Sequence, residues 1–268
     1  MTAAQQTGQI RSPDGTPIGY RRTGAGTPLV LVHGGAADGT RWGSVLPALE
    51  ERFIVYAVDR RGRGLSGDTS THSIAQESDD IGAVVNSIGG PVDLLGHSYG
   101  ALLALEAARR SDSVRRLVLY EPPIPTGTPL YSAATLDRMQ ALIDAGERDA
   151  MLATFFRDVV GMPEDELSLI RAQPVWQARV AAAHTIPREL RSIDRYDFKP
   201  ERFKGMRTPC LLLFGGDSPA FLKDATAAVR TALSASRIAV MPGQQHIAMN
   251  TAPDLFLREV LGFLTADR

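Results

Sequence analysis

The chain has little to staple or anchor it. Its 268 residues include one cysteine, Cys210, set in an apolar run, so no intrachain disulfide is available. That usage fits a reducing compartment, and the cytoplasm is the expected address. No stretch approaches the ~20 apolar residues of a membrane-spanning helix. The opening MTAAQQTGQIRSPDG lacks a basic start followed by an apolar segment and does not read as a secretory signal. Charge of one sign is missing too. Lys and Arg number 29 against 30 Asp and Glu, a net charge of −1, which leaves no electrostatic footprint for nucleic acid or an anionic membrane surface. One cysteine and five scattered histidines supply no set of metal ligands, so no metal is expected.

What is present suits a globular α/β protein. Hydrophobic residues make up 44% and charged residues 22%. A chain of this length can bury roughly 75% of its unfolded surface. Short runs rich in Val, Leu and Ile read as strands: PLVLVH (Pro28–His33), FIVYAVD (Phe53–Asp59), PVDLLG (Pro91–Gly96), VRRLVLYE (Val114–Glu121), TPCLLLFG (Thr208–Gly215) and SRIAVMPG (Ser236–Gly243). Between them lie helical periods, among them RWGSVLPALEE, SIAQESDDIGAVVNSIG, SYGALLALEAARR, KDATAAVRTALSA and DLFLREVLGFL. Continuously apolar strands separated by helices predict a doubly wound, mostly parallel sheet covered on both faces. GQIRSPDGTPIGYRRTG, with alternation broken by PDG, predicts an antiparallel hairpin at the sheet edge. The rhythm lapses over residues 122–206, where helical periods and scattered aromatics follow PPIPTGTP. This predicts a helical cap inserted into a core made of residues 1–121 and 207–268.

Chemistry concentrates in LLGHSYGALLALEAARR, which sets Gly96-His97-Ser98-Tyr99-Gly100 between a strand and a helix. A serine at so sharp a turn needs small neighbours, and a helix N-terminus directs free N–H groups toward a developing oxyanion. A serine hydroxyl needs a base to take its proton, so a neutral histidine is required. Of the five histidines, His97 adjoins the serine and is expected to point away, His33 ends a strand, and His72 and His184 lie in polar or cap segments. His246 alone lies in a loop beyond the last strand, at the same edge of the sheet as Ser98. The run Gly62-Arg63-Gly64-Leu65-Ser66-Gly67 matches G-x-G-x-x-G, but DTSTHS separates it from the next helix. A phosphate cradle needs the helix to open within the glycines, so no dinucleotide or other cofactor is expected. The arginines at 60, 61 and 63 read as a solvated or salt-bridged turn.

These motifs, in this order, resemble the α/β-hydrolase superfamily, in its capped serine-hydrolase form. LVHGGAADGTRW resembles the family's His-Gly loop, DRRGRGLSGD its structural turn, and MPGQQHIAMNTAPDLF the loop that carries its catalytic histidine. The resemblance runs from about Gly19 to the C-terminus and implies Ser98 as nucleophile and His246 as base. It also implies an oxyanion hole from the N–H groups of Gly35 and Tyr99. The family usually places its acid in a Gly-x-x-Asp turn after the strand that follows the cap. Counted from Gly215, that slot is Ser218, and Asp217 falls one residue early. Some relatives carry a glutamate at the end of the strand before the cap, which here is Glu121. The register favours Glu121 and leaves Asp217 open. A serine at the nucleophile position argues against dehalogenase or epoxide hydrolase chemistry, which use an aspartate there.

The expected function is hydrolysis of an ester, lactone or thioester through an acyl-enzyme. The expected partner is a small, largely apolar substrate, with Trp176 and Phe155 of the cap among its contacts. Acyl transfer, carbon–carbon bond hydrolysis, a lyase reaction, or a receptor or scaffold role with little turnover remain the alternatives. Oligomeric state is not legible in the chain.

Overall fold

The computed structural model describes residues 5–127 and 129–266. Eight strands form one sheet: β1 (Gln6–Arg11), β2 (Pro17–Gly24), β3 (Thr27–Val32), β4 (Phe53–Val58), β5 (Val92–His97), β6 (Val114–Tyr120), β7 (Cys210–Gly215) and β8 (Ser236–Met241). Their order is β1-β2-β4-β3-β5-β6-β7-β8. The hairpin β1–β2 pairs antiparallel and joins β4 antiparallel, and all remaining pairs are parallel. Every residue of β5 is buried, as a strand covered on both faces requires. β8, with Ile238 and Val240 exposed, forms the far edge.

Eleven helices among the described residues complete the fold. In the core are α1 (Leu46–Glu50), α2 (Ile74–Ser87), α3 (Tyr99–Arg109), α9 (Ala220–Ala232), α10 (Ala248–Thr251) and α11 (Pro253–Leu264). Between β6 and β7 lie α4 (Ala133–Asp144), α5 (Arg148–Thr154), α6 (Glu164–Arg171), α7 (Val175–Ala181) and α8 (Thr185–Asp194). No strand interrupts this stretch among the described residues. Trp42, Leu49, Phe256 and Val260 pack on one face of the sheet, and Ile81, Val84, Leu102 and Val229 on the other. Each such side chain contributes roughly 1.5–3 kcal/mol by leaving water, so both faces are committed to burial.

The helix expected across 41–51 is a correction. The chain makes a 3-10 turn at Gly39–Trp42 and restarts as α1, with Pro47 in its first turn. Proline has no N–H to give an intrahelical bond and suits a helix start, so it divides the segment. By contrast α2 begins where Ser73 accepts the Gln76 N–H at 3.1 Å. No helix among the described residues is long and apolar enough to cross a membrane.

The topology fixes where a site can form. From β3 the chain moves outward to β4, then crosses back to β5 on the other side of β3. Such a reversal opens a crevice at the carboxyl ends of the flanking strands. Those ends carry His33-Gly34-Gly35 and Ser98.

Candidate active site

Ser98 joins β5 to α3 with φ 55° and ψ −127°, a backbone state that a residue with a β-carbon avoids. Its N–H is anchored on the Tyr120 carbonyl at 2.8 Å. The flanking glycines are sterically required. A β-carbon at Gly96 would lie 2.4 Å from the Gly100 carbonyl oxygen, and one at Gly100 would lie 2.4 Å from the carbonyl oxygens of Val32 and His33. Only three non-glycine residues among those described have positive φ: Ala36, Ser98 and Glu121. They sit at the carboxyl ends of β3, β5 and β6, three adjacent strands. Backbone strain costs about 1–3 kcal/mol per residue and gathers at functional sites. Here it marks one edge of the sheet.

Beside Ser98 the loop after β3 passes closely, since a β-carbon on Gly34 would lie 2.9 Å from the Ser98 β-carbon. His33 pins this loop from within. Its Nε2 accepts the Arg60 N–H at 3.2 Å, so Nδ1 carries the proton and donates to the Gly34 carbonyl at 2.8 Å. Burial, reinforced by Arg60 and Arg63, holds this imidazole well below its ordinary pKa, and it stays neutral. Gly35 follows, half-buried, and Tyr99 supplies the first N–H of α3, which has no intrahelical acceptor. The Tyr99 side chain is buried under the Arg60 guanidinium, 4.6 Å from its ring centre, and belongs to packing.

His246 lies between β8 and α10, and its Nδ1 donates to Glu121 Oε2 at 2.5 Å. Glu121 is fully buried, and its other oxygen accepts the Gly215 N–H at 2.7 Å. Both carboxylate oxygens are therefore committed. His97 donates from Nε2 to the His246 carbonyl at 2.8 Å. Burial, with His246 and Arg41 nearby, holds its pKa well below the ordinary value. Tyr120 donates its O–H to the Gln245 carbonyl and accepts the Ala248 N–H at 3.0 Å. The histidine loop is thus fastened at residues 245, 246 and 248. No hydrogen bond joins Ser98 to His246 among the described residues, a contact that commonly tightens only with substrate bound.

Asp217 stands apart. Its side chain is exposed and makes no hydrogen bond among the described residues. Its backbone N–H donates to the Gln244 carbonyl at 2.9 Å, and α9 starts beyond it at Ala220 with Pro219 as its cap. A β-carbon at Gly215 would lie 2.2 Å from the Gln244 oxygen, so β7 meets the histidine loop backbone to backbone.

The basic turn is buried and ion-paired, not solvated. Arg60 binds Glu77 at 3.1 Å and also Glu189, Arg61 binds Asp80 at 2.7 Å and Asp14 at 3.0 Å, and Arg63 shares Glu189. Asp59 accepts N–H groups from Gly39 at 2.7 Å and Leu65 at 2.9 Å, tying the turn to the segment after the Gly34-Gly35 loop. No group of three or more His, Cys, Asp or Glu side chains suited to a metal occurs among the described residues.

A cavity of about 390 Å³ opens between Ala37–Arg41, Arg63–Gly64, α7 with Ala182, and Asn250. It borders the loop that follows Gly35 and the helix that follows His246. Of the two cap aromatics expected to touch substrate, neither Trp176 nor Phe155 lines this cavity. Trp176 is buried, donates from its indole N–H to Asp149 at 2.5 Å and packs 5.8 Å from the Phe156 ring. Phe155 packs edge-on against Phe156 at 5.3 Å. Val175, Ala178, Arg179 and Ala182 share the helix face toward the cavity, and Trp176 falls off that face. Sequence reading missed Arg41 and Arg179 on this wall, and it missed the anchoring roles of His97 and Tyr120.

Comparison with known proteins agrees with the fold. The model of the alpha/beta hydrolase family matches residues 29–259. The 2-(acetamidomethylene)succinate hydrolase of Mesorhizobium japonicum is 27% identical over 269 residues, 93% of this chain and 92% of that protein. The N-formylmaleamate deformylase of Pseudomonas putida is 29% identical over 211 residues, 73% of each chain. A crystal structure of an alpha/beta hydrolase from Sphaerobacter thermophilus superposes with a TM-score of 0.84 at 31% identity, covering 96% of this chain and 100% of that one.

Proposed function

From membership of the alpha/beta hydrolase family, to which this chain belongs, we propose that it is a serine hydrolase that cleaves an acyl bond through a covalent acyl-enzyme. The observation that carries this reading is the His246–Glu121 pair set at the same strand ends as the strained Ser98. Ser98 Oγ attacks the substrate carbonyl carbon while His246 Nε2 takes its proton. Glu121 accepts a hydrogen bond from Nδ1–H, which keeps Nε2 unprotonated and ready, and it stabilises the imidazolium that forms. The N–H groups of Gly35 and Tyr99 hold the oxyanion. Collapse expels the leaving group, which receives the proton from His246. Water then repeats the cycle on the acyl-enzyme and releases the acid.

Residues 122–206 act as a cap that supplies the outer wall of the substrate cavity through α7. The relatives named as a hydrolase and a deformylase support hydrolysis over transfer. The bond class extends over esters, lactones and thioesters. A fluorophosphonate probe should label the native chain and not Ser98→Ala, and Ser98→Ala should lose ~10⁴–10⁶ in kcat with its fold intact. Retention of most activity by Ser98→Ala would sink the reading.

A further inference from the structure

Three guanidinium groups, Arg41, Arg63 and Arg179, come to the cavity from three separate segments. Their partners differ. Arg63 pairs with Glu189, but its buried Nε has no acceptor. Arg179 rests 5.5 Å from the Phe156 ring centre, and its buried Nε is likewise unmet. Among the described residues the Arg41 side chain has only a 3.8 Å contact from Nη2 to the Met249 sulfur. Neither Arg41 nor Arg179 forms an ion pair with any described carboxylate.

One carboxylate shares the wall, Asp38, and one of its oxygens is engaged within its own turn. Its Oδ1 accepts the Thr40 N–H at 2.8 Å and the Thr40 hydroxyl at 2.5 Å, capping the 3-10 turn. Its charge favours Arg179 only from beyond ion-pair distance. Burial pushes Arg41 down to about 10, with Arg179 adding repulsion, and burial also lowers Arg179. A cation drawn out of water without a counter-charge is costly unless something arrives to meet it. Guanidinium is the group whose planar fork matches a carboxylate.

We propose that this cavity grips a carboxylate of the substrate between Arg41 and Arg179, with Arg63 Nε as a further donor. The preferred substrates are then short acyl compounds bearing a second, anionic carboxylate. The proposal rests on the serine hydrolase reading for its turnover arm, and on the cavity alone for its binding arm. Arg41 lies in the 3-10 turn that follows the Gly34-Gly35 loop and touches Met249, three residues beyond His246. The proposal accordingly sets the anion a short chain away from the scissile carbonyl.

The test compares monoethyl glutarate with ethyl pentanoate, its neutral counterpart, by pH-stat. The charged ester should be favoured about 10–100-fold in kcat/KM, the range that charge-assisted hydrogen bonds supply. Arg179→Met and Arg41→Met should each cut that ratio about tenfold. A native ratio at or below one, or equal losses on both esters, overturns the proposal. The binding arm titrates glutarate into Ser98→Ala by calorimetry and repeats it with Arg179→Met added. Arginine-dependent binding without Ser98-dependent turnover would fell the hydrolase reading and keep the anion site. Ser98-dependent turnover with no glutarate binding would do the reverse.

Discussion

Beneath the site, buried charge is met from within the fold: Arg60 finds Glu77 and Glu189, Arg61 finds Asp80 and Asp14, and Glu121 finds His246 and the Gly215 amide. On the cavity wall, Arg41 and Arg179 find aromatic and thioether surface in place of carboxylates. The same residue type thus does two jobs. In the turn it fixes the register of β-loops against α2 and α8. A buried pair of that kind seldom adds stability over an apolar pair, but it is expensive to break. On the wall the cations gain only those aromatic and thioether contacts, which offset little of the cost of holding a charge without an ion-pair partner, so a ligand is the better account of them. The difference separates charges that belong to the fold from charges addressed to a ligand.

The deepest way to break the paired side is at Glu121. The Gly215 N–H needs an oxygen, so in Glu121→Gln the amide oxygen turns to Gly215 and its NH₂ faces His246 Nδ1. The imidazole then takes the opposite tautomer, with Nε2 protonated and unable to accept from Ser98. A loss of ~10⁴ in kcat is expected. Asp217→Asn, one strand over with an exposed and unbonded side chain, should stay within about twofold. Steady-state kinetics on both variants decides it. If Asp217→Asn is the damaged enzyme, the assignment of the acid is wrong.

Next in size is the shared carboxylate of α8. Glu189 Oε1 takes a guanidinium bond from both Arg60 and Arg63, and the residue is 2% exposed. Neutralising it leaves two buried cations short of charge, so Glu189→Gln should lose about 3–5 kcal/mol in urea denaturation. Arg179→Met should leave stability unchanged or raised, because it removes a cation that pairs with no carboxylate among the described residues. Equal destabilisation by both variants would erase the distinction between the two groups.

Much of this was legible in the chain, and the part that was not has a physical cause. Apolar runs announced the parallel strands, since a strand buried on both faces has no polar alternation to confuse it. Gly96 and Gly100 announced the elbow, because no β-carbon fits beside their neighbours' carbonyl oxygens. The choice between Glu121 and Asp217 rested on one residue of loop register, and it is Glu121 that lies against His246. The cavity wall was not legible. Trp176 drew attention by its size, yet Arg179, three residues on, faces the cavity. Helix phase relative to a distant wall depends on tertiary packing, as does whether an arginine has a partner. Neither leaves a local trace in the sequence.

The smallest effect concerns the two neutral imidazoles that pin the paired side. His33 and His97 are both held well below their ordinary pKa near 6.5, first of all by burial. As pH falls below that value the unfolded chain takes up a proton at each, while the native state does not. The unfolded state then binds more protons, and unfolding free energy drops as pH drops, by up to about 1.4 kcal/mol per pH unit for each histidine. Asp80 and Asp93, raised by burial, act with the opposite sign, whereas Glu77 and Asp68, held low, are lost only in stronger acid. The histidine contribution is isolated by difference. Urea denaturation of the native chain and of His97→Gln between pH 7 and 5 should give a shallower slope for the variant, by close to one proton. Parallel slopes would mean that His97 is protonated in the folded protein. Its Nε2 bond to the His246 carbonyl would survive, but its unpartnered Nδ1 would then carry a buried charge beside Arg41.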